Sequence, residues 1–118
     1  MPGLRDDVVT VLQVIASKDE QYEWYRATGG EGSLARELWT FWMRDAYLPR
    51  SLDFSASFTM GELETLERFT QFFEARLALF PVRFESLMVD MYWLSVMEYA
   101  EGLLQELAEY EGTKDDDS

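Results

Sequence analysis

The groups through which this chain could do chemistry are carboxylates. Glu62, Glu64, Glu67 and Glu74 recur along one predicted helix, and Glu98, Glu101 and Glu106 along another. Paired acids of this kind can exchange protons or hold a hard cation such as Mg2+ or Ca2+. Their surroundings argue against both roles. The chain contains no His and no Cys, so the commonest general base, the commonest transition-metal ligand and the thiolate nucleophile are missing together. Zinc sites of the usual ligand sets and Cys or Ser triads cannot be assembled from what remains. A di-iron centre needs Glu-x-x-His pairs, and a calcium loop needs alternating acids around a glycine with a terminal Glu; neither pattern occurs. Glu64 stands four residues before Arg68, the spacing of a supporting ion pair on a helix surface, so the acids read as solvated helix faces. We expect no catalytic residue, no metal and no cofactor.

Gly29-Gly30-Glu31-Gly32 has the glycine content of a phosphate loop but not its chemistry. No Gly-Lys-Ser/Thr follows, no strand pattern precedes, and Glu31 would repel a phosphate, so the segment reads as a linker.

With bond-making chemistry set aside, charge is the next signal. The formal net charge is −13, and residues 84–118 carry ten acids against Lys114 alone. Such a field repels nucleic acid and anionic lipid, because binding a polyphosphate depends on Lys and Arg displacing its counterions. It attracts a basic protein. The plainer account is that acidity only keeps an aromatic-rich chain in solution. Absence of Cys fits a reducing compartment, residues 1–7 lack the basic start and apolar run of a signal peptide, and no apolar run is long enough for a membrane helix. The chain reads as cytoplasmic, with no membrane partner.

The elements that must position these groups are helical. Leu4, Val8, Val11, Leu12 and Ile15 follow three- and four-residue spacings, and Ser17-Lys18-Asp19-Glu20 has the form of a capping box, so residues 4–26 form one helix or two. Ser33 caps a helix running to about Tyr47, with Leu34, Leu38, Phe41 and Trp42 inward and Pro49 closing it. Residues 48–58 read as a loop pinned by Leu52, Phe54 and Phe58. Thr59-Met60-Gly61-Glu62 is a second capping box, followed by Leu63, Leu66, Phe69, Phe73, Leu77 and Phe80 up to Pro81. A last helical region spans about residues 82–110 and breaks near Asp90. It turns Trp93, Val96, Met97, Ala100, Leu103, Leu104 and Leu107 inward, and Glu98, Glu101, Gln105, Glu106 and Glu109 outward. Gly112 is expected to end it.

Strand alternation is absent, and 118 residues leave room for one domain. The expected fold is all-α, an irregular antiparallel bundle of four to five helices over residues 1–112, with a disordered acidic tail at 113–118.

The helix around Trp39-Thr40-Phe41-Trp42-Met43-Arg44-Asp45-Ala46-Tyr47 is apolar around more than half its circumference. Either it is central to the bundle, or Trp39, Met43 and Tyr47 form an exposed patch of the kind that anchors interfaces.

The layout from Glu37-Leu38 through Trp42 to Asp45-Ala46-Tyr47-Leu48-Pro49, and from Phe58-Thr59-Met60-Gly61-Glu62-Leu63 through Leu66 to Phe69 and Phe72-Phe73, is similar to small bacterial helical proteins. In overall character the chain resembles the immunity proteins that neutralise polymorphic or contact-dependent toxins. That resemblance implies a cytoplasmic antidote whose acidic surface covers a basic toxin domain, such as a nuclease. From charge and exposure pattern, Glu98, Glu101, Glu106 and Glu109 are the candidates for electrostatic steering, and Trp39, Asp45 and Tyr47 for anchoring. Two other readings share the same features: a nucleic-acid mimic that inhibits a DNA-binding protein, and a structural homodimer built on Trp39, Met43 and Tyr47.

Overall fold

We analysed a computed structural model of the chain, which describes residues 3–29 and 32–116, with side chains to residue 108. Every regular element among the described residues is helical. The first apolar stripe forms α1 (Leu4–Ala16) and buries Val8, Val11, Leu12 and Ile15. Ser17 breaks the backbone with extended angles, accepts a hydrogen bond from the Glu20 N–H, and starts α2 (Lys18–Ala27). The capping residue thus decides between one helix and two. Gly29 has φ 84° and Gly32 φ 78°, left-handed values that only glycine adopts without strain, and they carry the chain to the next cap.

Ser33 accepts from the Arg36 N–H and opens α3 (Leu34–Phe41). This helix does not end at Phe41 but widens into a π turn over Trp42–Ala46, closed by the Tyr47 N–H donating to the Trp42 carbonyl at 2.7 Å. Within it Trp42 and Ala46, one turn apart, are both buried while Met43, Arg44 and Asp45 face solvent. Between Leu48 and Phe58 the expected loop contains a short helix, α4 (Leu52–Ala56), capped by Ser51. Phe54 and Phe58 pin it as expected. Leu52 does not, being 87% exposed.

Thr59 and Glu62 form the reciprocal capping box of α5 (Met60–Arg76), which passes through a 3-10 turn (Leu77–Leu79) before Pro81. A single-turn helix, α6 (Phe84–Leu87), leads to α7 (Met91–Asp116). Asp90 caps α7 through the Trp93 N–H at 2.9 Å, at the break expected from the sequence. Gly112 does not end this helix, whose backbone continues to Asp116. Residues 117–118 of the expected tail lie outside the described residues, as do the side chains from Glu109 onward.

The all-α class therefore stands, with seven α-helices among the described residues instead of four to five. The additional ones are the single-turn segments α4 and α6. Helix α7, about 39 Å long at ~1.5 Å per residue, sets the long axis of a 46 × 27 × 27 Å molecule. Helix α1 lies along it and also touches the π turn, and α5 packs on another side.

Two tryptophans organise the core. Trp42 stacks on Tyr47 and meets the edge of Phe69 with ring centroids 5.7 and 5.3 Å away, and its indole N–H donates to the Thr70 hydroxyl at 2.9 Å. Trp93 packs edge-on against Phe73 and Phe80 and donates to the Gln21 side-chain carbonyl at 3.0 Å. Each ring brings roughly 1.5–3 kcal/mol or more of burial, provided its N–H finds a partner. Both do.

The acidic face of the long helix as candidate functional site

The side chains that α7 turns inward are those expected: Trp93, Val96, Met97, Ala100, Leu103 and Leu107 are buried, and Leu104 is half-buried. The opposite arc is fixed by the same periodicity. Glu98, Glu101, Gln105 and Glu106 are all exposed there. None of these three glutamates makes an ion pair with a described residue; the ion pairs among the described residues lie elsewhere. Gln105 donates to the Glu101 carboxylate at 3.4 Å, a long contact. Glu109 follows on the helix backbone, with its side chain outside the described residues.

Beside this arc runs a shallow groove of about 320 Å³ between α1 and α7. Val9, Leu104 and Leu107 supply apolar surface, and Gln13, Glu101 and Gln105 supply the polar edge. An apolar floor rimmed by amides and a carboxylate suits the aliphatic stem and charged head of a Lys or Arg side chain.

The remaining predicted site residues are distributed differently. Trp39 is half-buried against Phe73, ring centroids 5.1 Å apart. Tyr47 is half-buried between Trp42 and Phe54. Burial, reinforced by the negative charge of Glu67, pushes the Tyr47 hydroxyl above its ordinary pKa. Only Met43 of the expected trio is exposed, so Trp39, Met43 and Tyr47 do not form one patch. The physical cause is the π turn together with α5, which covers the second apolar side of α3. The helix is central to the bundle, the first of the two positions its pattern allows. Asp45 is exposed and engages its neighbour Arg44 at 3.0 Å. It lines a small groove of about 240 Å³ with Asp7, Thr10, Val11 and Phe41.

The acids on α5 do not assemble a site either. Among the described residues no group of three potential metal-ligating side chains converges. Glu62 is turned into the fold, where both its oxygens accept from Arg5 at 2.9 and 2.7 Å while Oε1 also accepts from the Thr59 N–H at 2.8 Å. Burial works to raise its pKa, but the Arg5 and Thr59 hydrogen bonds and the guanidinium charge outweigh it and hold the carboxyl below its usual value. The same guanidinium reaches the Ser57 and Leu107 carbonyls at 3.3 Å, so one side chain ties α1 to α5 and α7. Glu64 and Arg68 make no ion pair despite their spacing; Glu64 and Glu67 instead border a groove of about 230 Å³ with Tyr47 and Leu63.

Sequence reasoning missed Gln21. Its amide donates to the Val14 and Ile15 carbonyls at 3.2 and 2.7 Å, satisfying the end of α1, and accepts from Trp93. It is wholly buried. The only available signal was a neutral amide four residues after the Ser17 cap on a largely polar helix.

No protein-family model matches the chain, and no curated protein or solved structure matches it. No helix among the described residues is long and apolar enough to cross a membrane.

Proposed function

We propose that this protein acts by binding, as an antidote that neutralises a basic toxin domain through the exposed acidic face of α7. The observation that carries this reading is the row of Glu98, Glu101 and Glu106, exposed and without cationic partners among the described residues, on a helix with no Lys or Arg before Lys114. Carboxylates left unpaired along two turns raise the local negative potential, and a positive cleft, such as a nuclease needs for its substrate, is drawn to them. Glu109, which the helical period of the sequence assigns to the same arc, is included in the steering surface on that ground, and the α1–α7 groove offers a seat for a basic side chain. Asp45 belongs to the same acidic character, while Trp39 and Tyr47 act from within by holding the π turn. The reading assigns no catalytic residue and places the protein in a bacterial cytoplasm.

The test is affinity capture from the source cells with the wild type and with the triple variant Glu98→Lys, Glu101→Lys, Glu106→Lys. The variant has a net charge of −7 in place of −13. A basic protein retained by the wild type, lost from the variant and released by salt is the expected result, with association slowed at least tenfold at low salt. Its expression alone should arrest growth, and co-expression of the wild type should relieve the arrest. Capture of the same proteins by both forms, or a captured protein with no toxicity, would count against the proposal.

A further inference from the structure

The apolar side chains that the fold leaves in solvent are not scattered evenly. Ten large hydrophobic residues are exposed among those described, and six of them, Leu79, Val82, Val89, Met91, Tyr92 and Leu94, fall within residues 79–94. Val89 and Met91 are each 76% exposed. Isolated exposed residues such as Leu52 and Met60 are normal on any surface, but a concentration of this kind marks a contact region. Helix α2 adds to it. The bond between Gln21 and Trp93 brings the start of α2 to this end, Tyr25 stacks on Phe84 with centroids 4.4 Å apart, and the half-exposed Tyr22 lies 6.2 Å from the same ring.

Charge decides what can cover such a surface. The chain as a whole carries −13, yet residues 79–94 hold Arg83 against Glu85 and Asp90, a net −1, and α2 beside them holds Lys18 and Arg26 against Asp19, Glu20 and Glu23, a further −1. The acids of α7 begin at Glu98, about 10 Å along the helix from Met91, and Glu106 lies about 22 Å away at ~1.5 Å per residue. At physiological salt those distances exceed the screening length of about 8 Å. This weakly charged end is therefore a place where a second copy of this acidic molecule meets less repulsion than at the acidic face of α7, to which a basic partner is drawn.

We propose that residues 79–94, with Tyr22 at the border, form a self-association surface through which two copies of the chain pair about a two-fold axis. A two-fold contact sets the same patch against itself, so the mixed charge of Arg83, Glu85 and Asp90 is self-complementary: the Arg83 of each copy has acids to face on the other. Contact at this end of a 46 Å long molecule leaves the acidic faces of both α7 helices open.

Sedimentation and light scattering of the full chain from micromolar to near-millimolar concentration test this. The mass should rise from the 13.8 kDa monomer to twice that value. Added salt should tighten the dimer severalfold, because it screens repulsion between copies while the contact itself is apolar. Val89→Asp combined with Met91→Asp should return the protein to a monomer with unchanged helix content and Tm. If that pair impairs folding, Val82→Asp should weaken the dimer at least tenfold in its place. A monomer at every concentration, a dimer untouched by these substitutions, a dimer that salt dissociates, or growth beyond two copies would each overturn the proposal.

Discussion

Replacing Glu62 with Gln keeps the shape of the side chain and removes only its charge. In the wild type the carboxylate receives two hydrogen bonds from Arg5 and one from the Thr59 N–H, with 5% of the Glu62 side chain and 16% of the Arg5 side chain exposed. The Gln variant can still accept from Thr59 and from one guanidinium N–H, but it faces the other with an amide. Hydrogen bonds to charged groups contribute about 1.5–3 kcal/mol each in such settings, so the change should cost about 2 kcal/mol near neutral pH. With ~2.1 cal/mol/K of unfolding entropy per residue over 118 residues, the melting temperature should fall by about 8 °C. The pH dependence is the sharper test. The folded carboxyl titrates below its ordinary value, so its contribution is complete above about pH 4.3, the unfolded glutamate pKa, and is lost as pH falls through the folded value. Absolute stability of so acidic a protein also changes as the other carboxylates protonate. The difference between wild type and Glu62→Gln removes that background. Urea titrations of both proteins at several pH values from 7 down to about 3 should show a gap that is constant above the glutamate range and closes below it. A gap that stays constant to the lowest pH, or no gap at neutral pH, would refute the assignment of Arg5–Glu62 as a fastening that depends on charge.

Three further outcomes follow from the same geometry. Gln21→Leu fills a similar volume but strands the Trp93 indole N–H and the Ile15 carbonyl, so it should destabilise by about 2–4 kcal/mol in urea unfolding, against little for a Leu introduced at an exposed site of α2. Thr70→Val leaves the Trp42 N–H buried without an acceptor and should cost about 1–3 kcal/mol, while Thr70→Ser, which keeps the oxygen, should cost less. A spectrophotometric titration should show a tyrosine ionising above the ordinary value, and that step should disappear in Tyr47→Phe. Because the folded hydroxyl titrates above its unfolded value of about 10, stability from this site is intact below that pH and falls as pH rises beyond it.

Much of the fold was legible in the residues, and the reasons are local. Ser17, Ser33, Thr59 and Asp90 each supply an oxygen to the free amides of the turn that follows, and such bonds need no tertiary partner, so the starts of α2, α3, α5 and α7 could be placed in advance. The outward arc of α7 was legible for the same kind of reason, since helical periodicity alone separates Glu98, Glu101 and Glu106 from Val96, Ala100 and Leu103. The helix around Trp42 was not. Its pattern allowed either an exposed stripe or a central position, and nothing in the spacing reveals a π turn or says that Phe73 lies across from Trp39. The expected Glu64–Arg68 pair was equally underdetermined, because spacing permits a surface contact without making it favourable against hydration.

The amino-acid order by itself determined an all-helical chain, one acidic helix face, and the absence of imidazole and thiol chemistry. These depend on residue type and on the 3.6-residue period, both of which exist before the chain folds. Tertiary structure alone decided that Glu62 is a fastening and not a surface acid, that Gln21 belongs to the core, and that Val82, Val89 and Met91 stay uncovered. Those outcomes depend on which distant side chain arrives opposite, Arg5 across 57 positions and Trp93 across 72, and no local periodicity encodes that meeting.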